Sequence, residues 1–271
     1  MNIIELRMVE RLKELIDRYH VVGVKAEFEA EGTRTEELMR LKEICLAAGS
    51  PLTLKIGGCE AVRDMYDARA IGVDQLVAPM VETPFALQKY LRAVDVAFPA
   101  DEQKEIDFLV NIETIQAVRN FEPMLAVEEI EGLDGVVIGR SDLVGSMSLD
   151  KREINGPAVF EVIREVLVRA KSKNLICVIG GTISVDSLPF LKGLAGLLDR
   201  FETRKVCFNC AGALAGEPET GLKKALEFEL LWLQNKQNYY RAISEEDNKR
   251  IAELVARCQA GREVVFKGVN R

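Results

Sequence analysis

Two short segments, Asn111-Ile112-Glu113-Thr114 and Gly139-Arg140-Ser141-Asp142-Leu143, each set one carboxylate at the end of an apolar run. Glu113 and Asp142 stand 29 positions apart, about one strand-helix repeat, so in a parallel barrel both would emerge at the same rim. Two carboxylates on one rim suit a hard dication, which takes oxygen ligands and keeps positions open for a substrate. Side-chain alternation adds to this pair. In Val21–Glu29 the apolar set is Val22, Val24, Ala26 and Phe28, and the opposite face carries Lys25, Glu27 and Glu29. Thr53 and Lys55 oppose Leu52, Leu54 and Ile56, and Asn111 and Glu113 oppose Val110 and Ile112. Charges on an inward face cost free energy unless they pair or bind a ligand. The plain structural reading is an internal ion-pair network, for instance Lys25 with Glu27 or Glu113.

The elements that would position these residues alternate between strand and helix. Strand-like runs occur at Val21–Phe28, Pro51–Ile56, Gln75–Val81, Asp107–Ile112, Gly135–Ile138, Leu175–Ile179 and about Leu197–Val206. The eighth strand is expected from Val206–Asn209, from Glu263–Val269 or from the N-terminal segment. Thr33 with Glu36 reads as a capping box, Thr83-Pro84 and Gly156-Pro157 as helix starts, and Gly49 as a helix stop. Repeated strand-helix units over 271 residues favour a single α/β domain, a TIM-like (β/α)8 barrel with extra C-terminal helices. Residues 1–20 form an N-terminal helix. Residues 217–271 form a helical extension, with helices at Leu222–Asn235 and Ser244–Gln259, suited to packing between subunits. A Gly-x-Gly-x-x-Gly turn after the first strand is absent, which removes the simplest dinucleotide reading.

Composition narrows the class. A formal net charge of −7 without a Lys/Arg-rich run argues against nucleic acid or an anionic membrane as partner. No uncharged apolar stretch reaches about 18 residues and Met1–His20 lacks a signal core, so a cytoplasmic protein is expected. Six scattered cysteines are expected to be reduced thiols, and Cys207-x-x-Cys210 has no second half to complete a zinc site.

The ordered set Leu54-Lys55-Ile56, Val77-Ala78-Pro79-Met80-Val81-Glu82-Thr83, Asn111-Ile112-Glu113-Thr114 and Asp134-Gly135-Val136-Val137-Ile138-Gly139-Arg140-Ser141-Asp142-Leu143 resembles the HpcH/HpaI aldolases and the related citrate lyase beta-subunit enzymes of the pyruvate/phosphoenolpyruvate superfamily. The resemblance covers roughly Val21 to Leu149. It implies Mg²⁺ or Mn²⁺ held by Glu113 and Asp142, a pyruvate-like 2-oxo acid with its carboxylate on the amides of Ser141 and Asp142, and an aldehyde as second partner. It also implies a homo-oligomer built through the C-terminal helices. Lys55 stands where the family carries Arg, keeping charge and losing the two-pronged donor. Phe28 stands where the family carries its catalytic His. The only histidine, His20, precedes the first strand and belongs at the opposite rim.

General-base duty therefore passes to Glu29, Glu27, Lys25 or metal-bound water, with Lys55 supporting an enolate. A Schiff base at Lys25 or Lys55 is a further route. Arg140 and Arg204 are expected among the substrate contacts, with Arg200, Glu202 and Arg204 lining the pocket if they face one way. Gly180-Gly181-Thr182 reads as a turn or an anion cradle, and Trp232, Tyr239 and Tyr240 as packing residues. The expected activity is a divalent-metal-dependent carbon-carbon lyase working through a pyruvate-type enolate. The alternatives are a citryl- or malyl-CoA-type thioester lyase and a non-catalytic barrel that binds metal and oxo acid.

Overall fold

A computed structural model describes the backbone of residues 1–268 and the side chains through Gln259. The chain opens with α1 (Ile3–Tyr19) and then alternates β1 (Val21–Glu27), α2 (Thr35–Ala48), β2 (Leu52–Lys55), α3 (Val62–Ile71), β3 (Gln75–Ala78), α4 (Pro84–Ala97), β4 (Asp107–Ile112), α5 (Ile115–Met124) and β5 (Gly135–Gly139). It continues through α6 (Arg140–Ser146), α7 (Pro157–Ser172), β6 (Ile176–Gly180), α8 (Leu188–Gly193), β7 (Arg200–Glu202), β8 (Val206–Asn209), α9 (Cys210–Ala215) and α10 (Pro218–Gly268). The strands close in sequence order into one barrel. Outward-facing Val24, Leu52, Leu54, Leu76, Val110, Val136, Ile138 and Ile179 are buried beneath the helices. Each such side chain contributes about 1.5–3 kcal/mol by leaving water.

The interior is layered. At the floor Thr53 donates to Gln75, Gln75 donates to Asp107, and Arg200 lies 3.9 Å from Asp107. Above it Val77, Leu109, Val137 and Val178 form a separate apolar cluster. The charged side chains fill the rim at the strands' C-terminal ends.

Several local signals hold. Thr83 Oγ1 accepts the Ala86 N–H ahead of Pro84, α7 begins at Pro157, and Gly49 closes α2 at φ +74°. The expected capping box at Thr33 and Glu36 is displaced by one residue, because α2 starts at Thr35 and Glu37 accepts the Arg34 N–H.

The eighth strand is Val206–Asn209, one of the expected segments, and it departs from the usual repeat. It pairs antiparallel with both β7 and β1, and Thr203-Arg204-Lys205 make a tight turn in place of a crossover helix. Of the rejected segment Glu263–Val269, Glu263–Gly268 is helical and Val269 lies outside the described residues. The two expected tail helices are one continuous helix, α10, since no Gly or Pro interrupts Leu222–Gln259. Starting at the floor beside Tyr19 and Phe208, α10 rises along α1 to Asn2 and Glu5, then to Glu37 at the start of α2. No helix among the described residues is long and apolar enough to cross a membrane.

Candidate active site

Two carboxylates and two glycines share one row of the rim. Ile112 pairs with Ile138 and Gly139 with Gly180, so Glu113 leaves the end of β4 beside Gly139; Glu202 occupies the corresponding place next to Gly180. Each acid lies across its neighbouring glycine. A Cβ on Gly139 would stand 2.6 Å from Glu113 Oε2, and one on Gly180 would stand 2.9 Å from Glu202 Oε1. Alternation turns both glycines inward, and their missing side chains are the space the carboxylates use.

Two lysines stand among these acids. Lys25 Nζ donates to Glu202 Oε1 at 2.5 Å and lies 2.9 Å from Glu27 Oε1, all three residues being buried. Lys55 Nζ lies 3.0 Å from Glu29 and 3.6 Å from Glu113 Oε2. Burial pulls both ammonium groups down, but the carboxylates of Glu202 and Glu27 for Lys25, and chiefly Glu113 for Lys55, outweigh it and hold both above the ordinary lysine value. Burial pushes Glu27 up, yet Lys25 and then Lys55 bring it below its ordinary value. The internal ion-pair reading thus describes Lys25 well, with Glu202 as an added partner.

Glu113 is held on three sides. Its Oε1 accepts the Met80 N–H at 2.9 Å, its Oε2 accepts Asn111 Nδ2 at 2.7 Å, and Lys55 stands beside Oε2. Met80 reaches that position with φ +52°, a left-handed conformation unusual for methionine. Asn111 is buried, and its Oδ1 has no partner; only Arg11 Nε shares that condition among the described residues.

Asp142 stands in the first turn of α6, directly after β5, and is exposed on the same rim as Glu113. Ser141 is exposed beside it, its Oγ 3.1 Å from Thr182 Oγ1.

Arg140 corrects the sequence reading. Its guanidinium is fully buried and donates to the carbonyls of Gly180, Gly181 and Thr182, to Asn155 and to Ser187, with Phe190 beneath it. Burial without a facing acid lowers its pKa to about 10. It fastens α6 to the loop after β6, and its complete burial keeps it from a substrate. Arg200, Glu202 and Arg204 do not line one pocket either: Arg200 and Glu202 both point into the barrel, but Arg200 reaches the floor and Glu202 is paired with Lys25, while Arg204 is exposed at the turn, 3.8 Å from Glu31. Lys205, not anticipated as a site residue, is buried at the rim, bonded to Glu31 and lying over the Trp232 ring. Burial lowers its pKa despite that carboxylate.

Phe28 turns outward and packs against the main core, whereas His20 caps α1 at the floor beside Gly212, far from the charged rim. All six cysteines are free, and burial beside Glu202 pushes the Cys207 thiol well up. The sequence carried a faint signal for what was missed: inward glycines in two adjacent strands, and an Asn sharing the face of Glu113.

No group of three His, Cys, Asp or Glu side chains converges among the described residues. The donor set nonetheless fits a hard dication, which commonly takes one or two carboxylates and fills its remaining positions with water and substrate. Glu113 and Asp142 share a rim, and Asn111 Oδ1 is an unsatisfied oxygen next to Glu113. Charge points the same way. Six rim carboxylates (Glu27, Glu29, Glu31, Glu113, Asp142, Glu202) face four cations (Lys25, Lys55, Arg204, Lys205), an excess of two negative charges.

Residues 58–186, which include Glu113 and Asp142, match the family model described as HpcH/HpaI aldolase/citrate lyase. Over these residues, just under half of the chain, the sequence is similar to the HpcH/HpaI aldolase/citrate lyase family. Lys25, Glu27 and Lys55 lie before the matched segment. A 5-keto-4-deoxy-D-glucarate aldolase from Citrobacter koseri is 31% identical over 93 residues, covering 34% of this chain and 35% of the relative, so the match spans about a third of that protein's length. The fold is shared with an HpcH/HpaI aldolase from Desulfitobacterium hafniense DCB-2 (TM-score 0.56, 16% identity, 70% of this chain and 89% of that one). It is shared also with the citrate synthase SbnG (TM-score 0.57, 13% identity, 85% and 90%).

Proposed function

We propose that this chain is an HpcH/HpaI-type, divalent-metal-dependent carbon-carbon lyase, making or cleaving the aldol of a pyruvate-like 2-oxo acid and an aldehyde. The observation that carries the reading is Glu113, fixed across Gly139 by Met80, Asn111 and Lys55 on the rim that also bears Asp142. Glu113 and Asp142 would hold Mg²⁺ or Mn²⁺, which supplies Lewis acidity to the ketone of the oxo acid. The amides of Ser141 and Asp142 hold its carboxylate. Lys55, kept cationic by Glu113 and Glu29, sets positive charge where the ketone oxygen gains negative charge. Neither Lys25 nor Lys55 acts as an amine nucleophile, because both are held protonated by their carboxylate partners. Glu27 is engaged by Lys25, so Glu29, exposed at the mouth and bonded to Lys55, moves the proton to and from the methyl carbon. Arg204, on the turn at the same mouth, contacts the second partner. The chain works as a cytoplasmic homo-oligomer, with the exposed face of α10 as its contact.

The test needs no knowledge of the aldehyde. Purified protein with Mg²⁺ or Mn²⁺ and pyruvate in D₂O is expected to exchange the methyl protons, followed by proton NMR. A chelator or Glu113→Gln should stop the exchange. Exchange that persists through both refutes the metal role, and tight metal binding with no exchange under any condition replaces the lyase with a binding barrel.

A further inference from the structure

Asn111 has one face explained and one unexplained. Its Nδ2 donates to Glu113 Oε2 at 2.7 Å, which fixes the amide's orientation, since the flipped amide would set oxygen against a carboxylate oxygen. The other end, Oδ1, is then a buried acceptor with no donor, on a side chain 4% exposed. Buried acceptors are nearly always satisfied, because the lost hydration is otherwise uncompensated. The neighbouring groups do not supply a donor: Lys55 is committed to Glu29 and Glu113, and Val137, level with Asn111 on β5, and Leu109 below are apolar. Asn111 lies two residues before Glu113 on the same inward face, so its free oxygen and the Glu113 carboxylate belong to one cluster.

We propose that Asn111 Oδ1 is an oxygen ligand of the divalent cation at the Glu113–Asp142 site, its amide held in that sense by the hydrogen bond from Nδ2 to Glu113. The inference rests on the metal reading above and adds a third protein ligand to it. A neutral amide oxygen suits a hard dication. It also raises coordination without adding negative charge to a rim already rich in carboxylates. Glu113 thus serves twice, binding the ion itself and orienting the oxygen beside it, as outer hydrogen bonds orient ligands in many metal sites.

The experiment is Mn²⁺ titration of the full chain by calorimetry, with the number of bound waters read from broadening of the Mn²⁺ electron paramagnetic resonance signal in ¹⁷O-enriched water. Asn111→Leu, similar in shape and without the oxygen, is expected to weaken Mn²⁺ binding at least tenfold and to add one bound water. Asn111→Asp keeps an oxygen at that place without the donor to Glu113 and should return the water count to the parent's. Melting of the metal-free variants checks folding, because Asn111→Leu removes both the unsatisfied acceptor and the hydrogen bond to Glu113. Parent-like affinity and water count in Asn111→Leu, with binding still lost in Glu113→Gln, overturns the Asn111 assignment alone. Absence of Mn²⁺ binding in the unmodified protein overturns the metal reading and this assignment together. Loss in Asn111→Leu with an unchanged water count also rejects the ligand role.

Discussion

Gly139→Ala isolates the contact on which the site depends. Gly139 sits at φ −87° and ψ 87°, so alanine meets no left-handed backbone strain and the effect is one of space. The new methyl would lie 2.7 Å from Glu113 Cβ and 2.6 Å from its Oε2, where carbon contacts normally rest at about 3.5–4.0 Å. Strand or side chain must therefore yield by roughly 1 Å, the scale at which overpacking costs about 1–3 kcal/mol. For a domain of this size that lowers Tm by about 2–12 °C, at roughly 2–4 °C per kcal/mol. A displacement of about 1 Å at a reacting centre can cost about a hundredfold in rate, so the pyruvate exchange should fall more steeply than stability does. Gly145→Ala supplies the opposite case. Gly145 is helical, exposed and has nothing within 4 Å of a Cβ, so alanine there should stabilise by about 0.5–1 kcal/mol. Differential scanning calorimetry and the exchange assay read both variants. Equal melting temperatures and equal exchange rates for the two would refute the claim that Glu113 is seated on Gly139.

Lys25→Met strands the buried Glu27 and Glu202 carboxylates and should cost about 3–5 kcal/mol in urea unfolding, the scale of a broken buried pair; an unchanged midpoint would contradict the pairing. The same pair sets a pH response. Glu27 lies below its ordinary 4.5 in the fold, so its contribution is complete above that value and is lost as pH falls through the depressed one. Lys25 is raised, so its contribution is complete below 10.5 and is lost only as pH climbs through the higher folded value. Stability should hold flat through neutrality and fall in acid, with a shallower acid limb in Lys25→Met, measured as melting temperature against pH. Arg140→Met leaves three carbonyls without their donor and should cost about 1–3 kcal/mol or more, seen as a lower Tm and faster proteolysis after β6. Arg140→Lys should not rescue it, because one ammonium cannot reproduce the planar fork.

Much of the fold was legible because the strands repeat one signature, branched apolar residues on the helix side and polar ones inward, at the spacing of a strand-helix unit. Val24 and Ala26 against Lys25 and Glu27 identify the inner wall without any coordinates. The reversed β8 was not legible. Arg200–Asn209 holds a lone Phe201 among charges and one short apolar run, Val206–Phe208, neither of which shows a strand direction, and the pairing is settled by contacts distant in sequence. Glu113 and Asp142 could be placed on one rim from spacing alone, whereas Arg140 could not be excluded from the substrate's side. A strand-to-helix junction does not reveal which way its first side chain turns, and the carbonyls that claim Arg140 lie some forty residues on.

The apolar cluster of Val77, Leu109, Val137 and Val178 separates the charged rim from the polar floor. The barrel is therefore a cup with a single opening, and whatever enters must leave by the way it came. Were the proposed oxo acid seated against Lys55, it would depart only after the molecule above it had gone, which would impose last-in, first-out order on a two-partner reaction. Solvent protons face the same restriction, so changes at Thr53, Gln75, Asp107 or Arg200 should alter how firmly the base is sealed and leave traffic at the entrance untouched.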